Sequence, residues 1–257
     1  MNLSYQYYIG QLFPRSLSFH RNHVFQKKCL KVIFVLALLV GLASVSFSGN
    51  LEKGIEAAES GDYKKAYELW LDEAEKGDAS AQTNVGALYA AGQGVPRNDR
   101  EAAKWFNLAA AQGDIKAQTN LGALYAVGQG VPRDEQEAAK WFHIAAAQGD
   151  AKAQSYLGVL YSRGSGVKQD NKEAAKWFHM AAVQGDAQAQ FSLGVMYDVG
   201  RGVAKNLVVA CAWYTLAAGN GDKAAQNFKD AIQQKMTTNE IEMSQQIAEQ
   251  IRTQQKR

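Results

Sequence analysis

The chain is predicted to be an all-α protein, an α-solenoid of antiparallel helix pairs closed by a C-terminal capping helix. Three observations predict it. The segment from Gly77 to Gln112 is restated from Gly113, Gly149 and Gly185, each time after 36 residues with no insertion or deletion. The first two copies agree at 27 of 36 positions, more than a shared amphipathic pattern requires, so the copies arose by duplication. Each copy also holds two stretches of helical apolar spacing around one glycine-rich break. A fixed period of this size marks a stack whose units each bury a face against the next.

Four regions follow in order: 1–48, 49–76, 77–220 and 221–257. In the first, Lys27-Lys28-Cys29-Leu30-Lys31 precedes an apolar core, Val32 to Ala43, and then the small residues Ser44, Ser46, Ser48 and Gly49. A basic start, a short apolar core and a small-residue exit form the layout of a secretory signal peptide. Spanning a bilayer takes about 20 apolar residues, and Val45 and Phe47 lengthen the run. The alternative is therefore an inner-membrane anchor over 32–47. The 26 residues before the basic cluster lack a pattern, which suggests a translation start nearer to it, at Val24 or Leu30. No cysteine follows the apolar core, so lipoprotein processing is not indicated.

Composition narrows the function classes. The formal charge of +3 includes five bases among the first 48 residues, Arg15, Arg21, Lys27, Lys28 and Lys31, with no acid there. The remainder has 23 bases against 25 acids, a net charge of about −2. That balance gives no support to a nucleic-acid partner. The two cysteines are Cys29 and Cys211, so the chain beyond the export signal has no internal disulfide.

Region 49–76 reads as a leading helical unit: a short helix from Leu51 to Glu59, then one containing Asp62, Ala66, Leu69 and Trp70. In the first full copy, Ala81, Val85, Leu88 and Tyr89 share one side of a helix, helix A. Gly92-Gln93-Gly94-Val95-Pro96 breaks it. Helix B starts at Asn98 with Glu101 three residues on. Asp134 with Glu137 and Asp170 with Glu173 repeat this arrangement, which predicts reciprocal capping boxes. Ala102, Trp105, Phe106 and Ala109 form helix B's buried side. Beyond Gly221, one helix runs to about Gln234. A last one opens at Thr237 with Glu240 as its N3 partner, carries a narrow edge of Ile241, Ile247 and Ile251, and frays from Thr253.

Features with a chemical look read as architecture. The Gly-x-Gly-Val loops follow no strand and lack a third glycine or a Walker lysine, so they are not phosphate loops. Trp105, Trp141, Trp177 and Trp213 recur on helix B's apolar side and are assigned to the core, not to a sugar-stacking ladder. His143 and His179 recur singly, without further ligands nearby in sequence, and read as surface residues. Cys211 replaces the alanines 103, 139 and 175 and reads as a packing residue; a free thiol for intermolecular pairing is the alternative. No catalytic residue, cofactor site or metal site is assigned.

The residues Ala117, Leu121, Gly122, Tyr125, Gly128, Gly130, Val131, Asp134, Ala138, Trp141, Phe142 and Gly149 carry a resemblance to the Sel-one-like repeat, a relative of the tetratricopeptide repeat. The resemblance covers 77–220 in four copies. It implies a non-catalytic adaptor or scaffold, and many bacterial members are exported. The chain is therefore expected to be periplasmic or secreted, a monomer, with a protein or peptide as partner. The alternatives are a β-lactamase-like or penicillin-binding hydrolase and an envelope-assembly factor binding polysaccharide or peptidoglycan. The hydrolase-like relatives have a cysteine pair per repeat, where this chain has only Cys211.

Positions opposite helix A's apolar stripe vary between copies, and by resemblance to tetratricopeptide arrays they line a concave groove. In copy one they include Thr83 and Ala87, with Ser80, Ala90 and Ala91. Copy two contributes Lys116 and Thr119, with Ala123, Ala126 and Val127. Copy three contributes Lys152, Ser155, Ser162 and Arg163, with Val159. Copy four contributes Gln188, Phe191 and Asp198, with Val195 and Val199. Such a strip suits an extended or helical peptide with an acidic group and an apolar anchor.

Overall fold

The computed structural model describes residues 49–255. The expected export signal or anchor over 1–48 lies outside the described residues. Every regular element among the described residues is a helix. The leading unit is α1 (49–59) and α2 (Tyr63–Glu75). Four A/B pairs follow: α3 (Ala79–Ala91) with α4 (Asp99–Ala111), α5 (Ile115–Val127) with α6 (Glu135–Ala147), α7 (Ala151–Arg163) with α8 (Asn171–Val183), and α9 (Ala187–Val199) with α10 (Leu207–Gly219). The chain ends with α11 (Lys223–Gln233) and α12 (Thr238–Gln255). Each helix packs on its neighbour in sequence, giving an α-solenoid.

Helix starts are fixed by side-chain caps. Asp78, Asp114, Asp150 and Asp186 accept the amide three residues on at 2.6–2.8 Å, opening each A helix. Asn98, Asp134 and Asp170 do the same for the B helices. The reciprocal half of the expected capping boxes is not formed there. The amides of Asn98, Asp134 and Asp170 donate instead to the carbonyls of Tyr89, Tyr125 and Tyr161 in the preceding helix. Glu101, Glu137 and Glu173 pair with Lys104, Lys140 and Lys176. The loop is tight enough for helix A to satisfy the cap amide, which frees the glutamate. Only at α12 does the full box form, with Thr237 N donating to Glu240 at 2.8 Å and Glu240 N to Thr237 Oγ1 at 3.3 Å.

The core is a row of small clusters, each made by one B helix and the next A helix. Ala102, Phe106 and Ala109 meet Ala117, Leu121 and Leu124; one step on, Ala138, Phe142 and Ala145 meet Ala153, Leu157 and Leu160. Within a pair, Phe106 lies over Gly86, where a Cβ would sit 2.9 Å from the ring. Gly122, Gly158 and Gly194 give the same clearance to Phe142, Phe178 and Tyr214. A helical glycine costs roughly 1 kcal/mol relative to alanine, and the aromatic seat offsets it. The tryptophans differ from expectation. Trp213 is buried, but Trp105, Trp141 and Trp177 are half-exposed and pack on the edge of the cluster before their own.

The second glycine of each loop has a role beyond turning the chain. Gly130 has φ +73° and lies against the Asp99 carbonyl at the start of the previous B helix, where a Cβ would collide. Gly94, Gly166 and Gly202 make the equivalent approach to Tyr63, Glu135 and Asn171. These glycines set the spacing between repeats. A buried glutamine ladder joins the same repeats. Gln82, Gln118, Gln154 and Gln190 donate to the carbonyls of Ala74, Ala110, Ala146 and Ala182 at 3.0–3.2 Å. Each in turn accepts from the residue that ends its own B helix, Gln112, Gln148, Gln184 or Asn220.

The C-terminal end departs from the repeat. Helix α12 lies against α10, and Ala248, Ile247 and Ile251 enter the cluster of Phe178, Trp213 and Leu216. Cys211 is wholly buried, with Ser244 Oγ 3.4 Å from its sulfur. Burial rules out intermolecular pairing in the folded chain. The expected fraying from Thr253 is not seen over the described residues: α12 continues to Gln255, whose amide donates to the Ala182 carbonyl at 3.0 Å.

Candidate partner-binding groove

The A helices line up side by side, so one face of the array is built from the same positions of α3, α5, α7 and α9. Two depressions lie on it. The first, about 900 Å³, is bordered by Leu51, Ile55, Trp70, Ser80, Asn84 and Lys116. The second, about 250 Å³, brings Ser162 and Arg163 of α7 together with Gln188 and Phe191 of α9. Val195, Val199 and Arg201 complete it. With Val159, seven of the sequence-selected residues thus converge in one place, while Lys116 borders the other depression with Ser80 and Thr83. Lys152 is exposed on α7 and Ala87 on α3, and neither borders these two depressions.

Three selected residues offer little open surface to a partner. Thr83, Thr119 and Ser155 are buried. Thr83 donates to the Ala79 carbonyl, and Thr119 to the cap carboxylate of Asp150 at 3.0 Å. Phe191 is only half-exposed, in edge contact with Phe228 and tilted against Tyr214. It forms a wall, not a free anchor. Asp198 is half-buried beside Tyr214, the one aromatic at its position with a hydroxyl. Burial first, and the Asp198 charge second, push that phenol well above its ordinary pKa.

One exposed aromatic of the A helices escaped the sequence reading. Tyr156 sits one position along from Ser155, stacks on Phe142 with centroids 4.7 Å apart, and is 44% exposed. Its equivalents are Asn84, Asn120 and Ser192. The variation between copies was visible, but choosing this row needed the facing of helix A to within one residue.

One recurring lysine of the B helices is ion-paired, while several cations of the A side are not. On the B side, Lys104, Lys140 and Lys176 are each paired with a glutamate at 2.6–2.7 Å. On the A side, Lys116, Lys152, Arg163 and Arg201 form no ion pair among the described residues. They present cationic donors beside apolar surface, the combination that receives a carboxylate next to an aliphatic or aromatic side chain. His143, by contrast, is committed to packing: its Nε2 lies 3.1 Å from the Tyr161 hydroxyl, and burial lowers its pKa. Among the described residues no three His, Cys, Asp or Glu side chains gather as a metal site would require.

A stack of helix pairs repeated every 36 residues is a helical repeat solenoid. The Sel1 repeat model matches residues 79–114, 115–150, 151–186 and 187–222, and the chain belongs to the Sel1 repeat family. Proteins of this family generally mediate protein–protein interactions, and their fold is typically a non-catalytic scaffold. A protective antigen of uropathogenic Escherichia coli, c5321, has a similar structure, with TM-score 0.70 and 31% identity over 81% of this chain. The chain spans 47% of that protein's length. A Sel1 repeat protein from Oxalobacter formigenes is similar with TM-score 0.66 and 36% identity, covering 70% of this chain and 73% of its own. Comparison with curated proteins gave no match.

Proposed function

We propose that the chain is an exported, non-catalytic scaffold of the bacterial cell envelope that holds a peptide or protein segment on its A-helix face. The observation that carries this reading is the depression between α7 and α9. There Arg163 and Arg201 border an apolar floor of Val195 and Val199 with Phe191 as its wall. An acidic, extended or helical segment with one apolar side chain fits that chemistry. The basic and apolar segment before Gly49 supports export. Among the described residues no helix is long and apolar enough to cross a membrane. The similar Escherichia coli protein is a protective antigen, a role that favours export of a relative.

Affinity capture from envelope extract tests the reading. Lys116→Glu, Lys152→Glu and Arg163→Glu combined should reduce recovery of the bound partner at least tenfold, since three attractive contacts become repulsive. Recovery equal to that with the parent chain would move the site off this face. A β-lactam hydrolysis assay addresses the enzymatic alternative, and turnover above background would overturn the non-catalytic reading.

A further inference from the structure

The B-helix face carries an apolar row: Leu108, Ile144 and Met180, one per repeat, are 50%, 45% and 43% exposed. The fourth residue of the row, Leu216, is 3% exposed. The difference is α12, which lies along α10 and seals it with Ala248, Ile247 and Ile251. The lysines of this face follow the same division. Lys104, Lys140 and Lys176 have side chains 69%, 68% and 69% exposed, whereas their copy-four equivalent is Ala212, wholly buried. The chain thus displays, on its own fourth copy, the kind of element this surface accepts.

Room for a second such element exists at copy one. A depression of about 590 Å³ lies over α4, bordered by Ala103, Lys104, Asn107, Leu108, Tyr125 and Val131. At copy four the corresponding Cys211, Ala212 and Leu216 lie beneath α12. At copy two the place of Asn107 is taken by His143, already engaged with Tyr161. A helix identical to α12 is less favourable at copy one, because Ala248 would come down near the Lys104–Glu101 pair and desolvate it without adding a partner. A carboxylate at that point removes the penalty.

We propose that the B-helix face of copy one docks an amphipathic helix of a partner protein, seated over α4 as α12 is seated over α10. Its apolar stripe covers Leu108, and an acidic residue meets Lys104. The present Lys104–Glu101 pair, 2.6 Å and exposed, contributes little in water, so exchanging Glu101 for a partner carboxylate costs little. The stripe of the docked helix repeats the spacing of Ser244, Ala248 and Ile251, small at the centre and aliphatic at the edge. The two faces then serve different partners, and this site stands whether or not the A-helix groove is occupied.

The probe is a labelled synthetic peptide with the sequence of residues 238–255 carrying Ala248→Glu, titrated into the full chain by fluorescence anisotropy. Saturable binding is expected. Leu108→Asp and Lys104→Glu should each weaken it at least tenfold, and Met180→Asp should leave it within about twofold. All three positions are exposed, and circular dichroism checks that the variants remain helical. The unmodified peptide should bind at least tenfold more weakly. Absence of saturable binding, or binding indifferent to Leu108→Asp, overturns the proposal. So does Leu108-dependent self-association in sedimentation, which would give the surface to a second copy.

Discussion

At the residue scale, the largest structural demands fall on residues with the least chemistry. Gly122 stands in the middle of α5 because Phe142 occupies the space a Cβ would need, at 2.9 Å. Gly122→Ala should destabilise the fold by about 1–3 kcal/mol, the usual cost of overpacking, with urea denaturation as the measurement. Gln118 is buried as well: its amide donates to the Ala110 carbonyl and its carbonyl accepts from the exposed Gln148. Gln118→Ala removes one of the two donors to the Ala110 carbonyl, which keeps the Gly113 amide, and should cost about 1 kcal/mol. Repetition pointed to the glycines but not to the glutamines, whose constancy between copies looks no different from that of an exposed polar residue. The groove shows the same boundary of legibility. Lys116 and Arg163 lie where the period of helix A places them. Thr83, Thr119 and Ser155 offer little open surface there, because which edge of a helix its neighbour covers depends on the packing of whole pairs.

At the scale of elements, the A and B helices were legible from apolar spacing and from Gly-x-Gly-Val between them. The orientation of α12 was not. Its apolar edge of Ile241, Ile247 and Ile251 is narrow, and nothing local indicates that it lies along α10. In the structure Ile247 and Ile251 of that edge pack with Ala248 against Ala212 and Leu216. Removing residues 238–257 should open that surface. In a Cys29→Ser background, Cys211 should then react with a thiol reagent such as 5,5′-dithiobis(2-nitrobenzoate) within minutes, while in the full-length chain it remains unreactive until it unfolds.

For the whole molecule, stability is the sum of similar units and similar junctions. The junctions between copies one, two and three use the same contacts, a glycine against the preceding helix start and a glutamine across the stack. Precise removal of residues 113–148 should therefore leave a folded, helical chain. Its denaturant m-value should fall roughly in proportion to the length lost. A chain that collapses after this excision would show that the copies are not interchangeable.

Copy four differs from the others in being sealed. Ala182 accepts hydrogen bonds from both Gln190 and Gln255, one belonging to the stack and one to the helix that closes it. The arrangement gives the array a direction of growth. A new unit inherited by unequal recombination can enter upstream of residue 187 and find every neighbour it needs. One appended after residue 222 would have to displace α12. Lineages with longer or shorter arrays should thus vary in the number of internal copies, while keeping an alanine in place of the lysine on the last B helix.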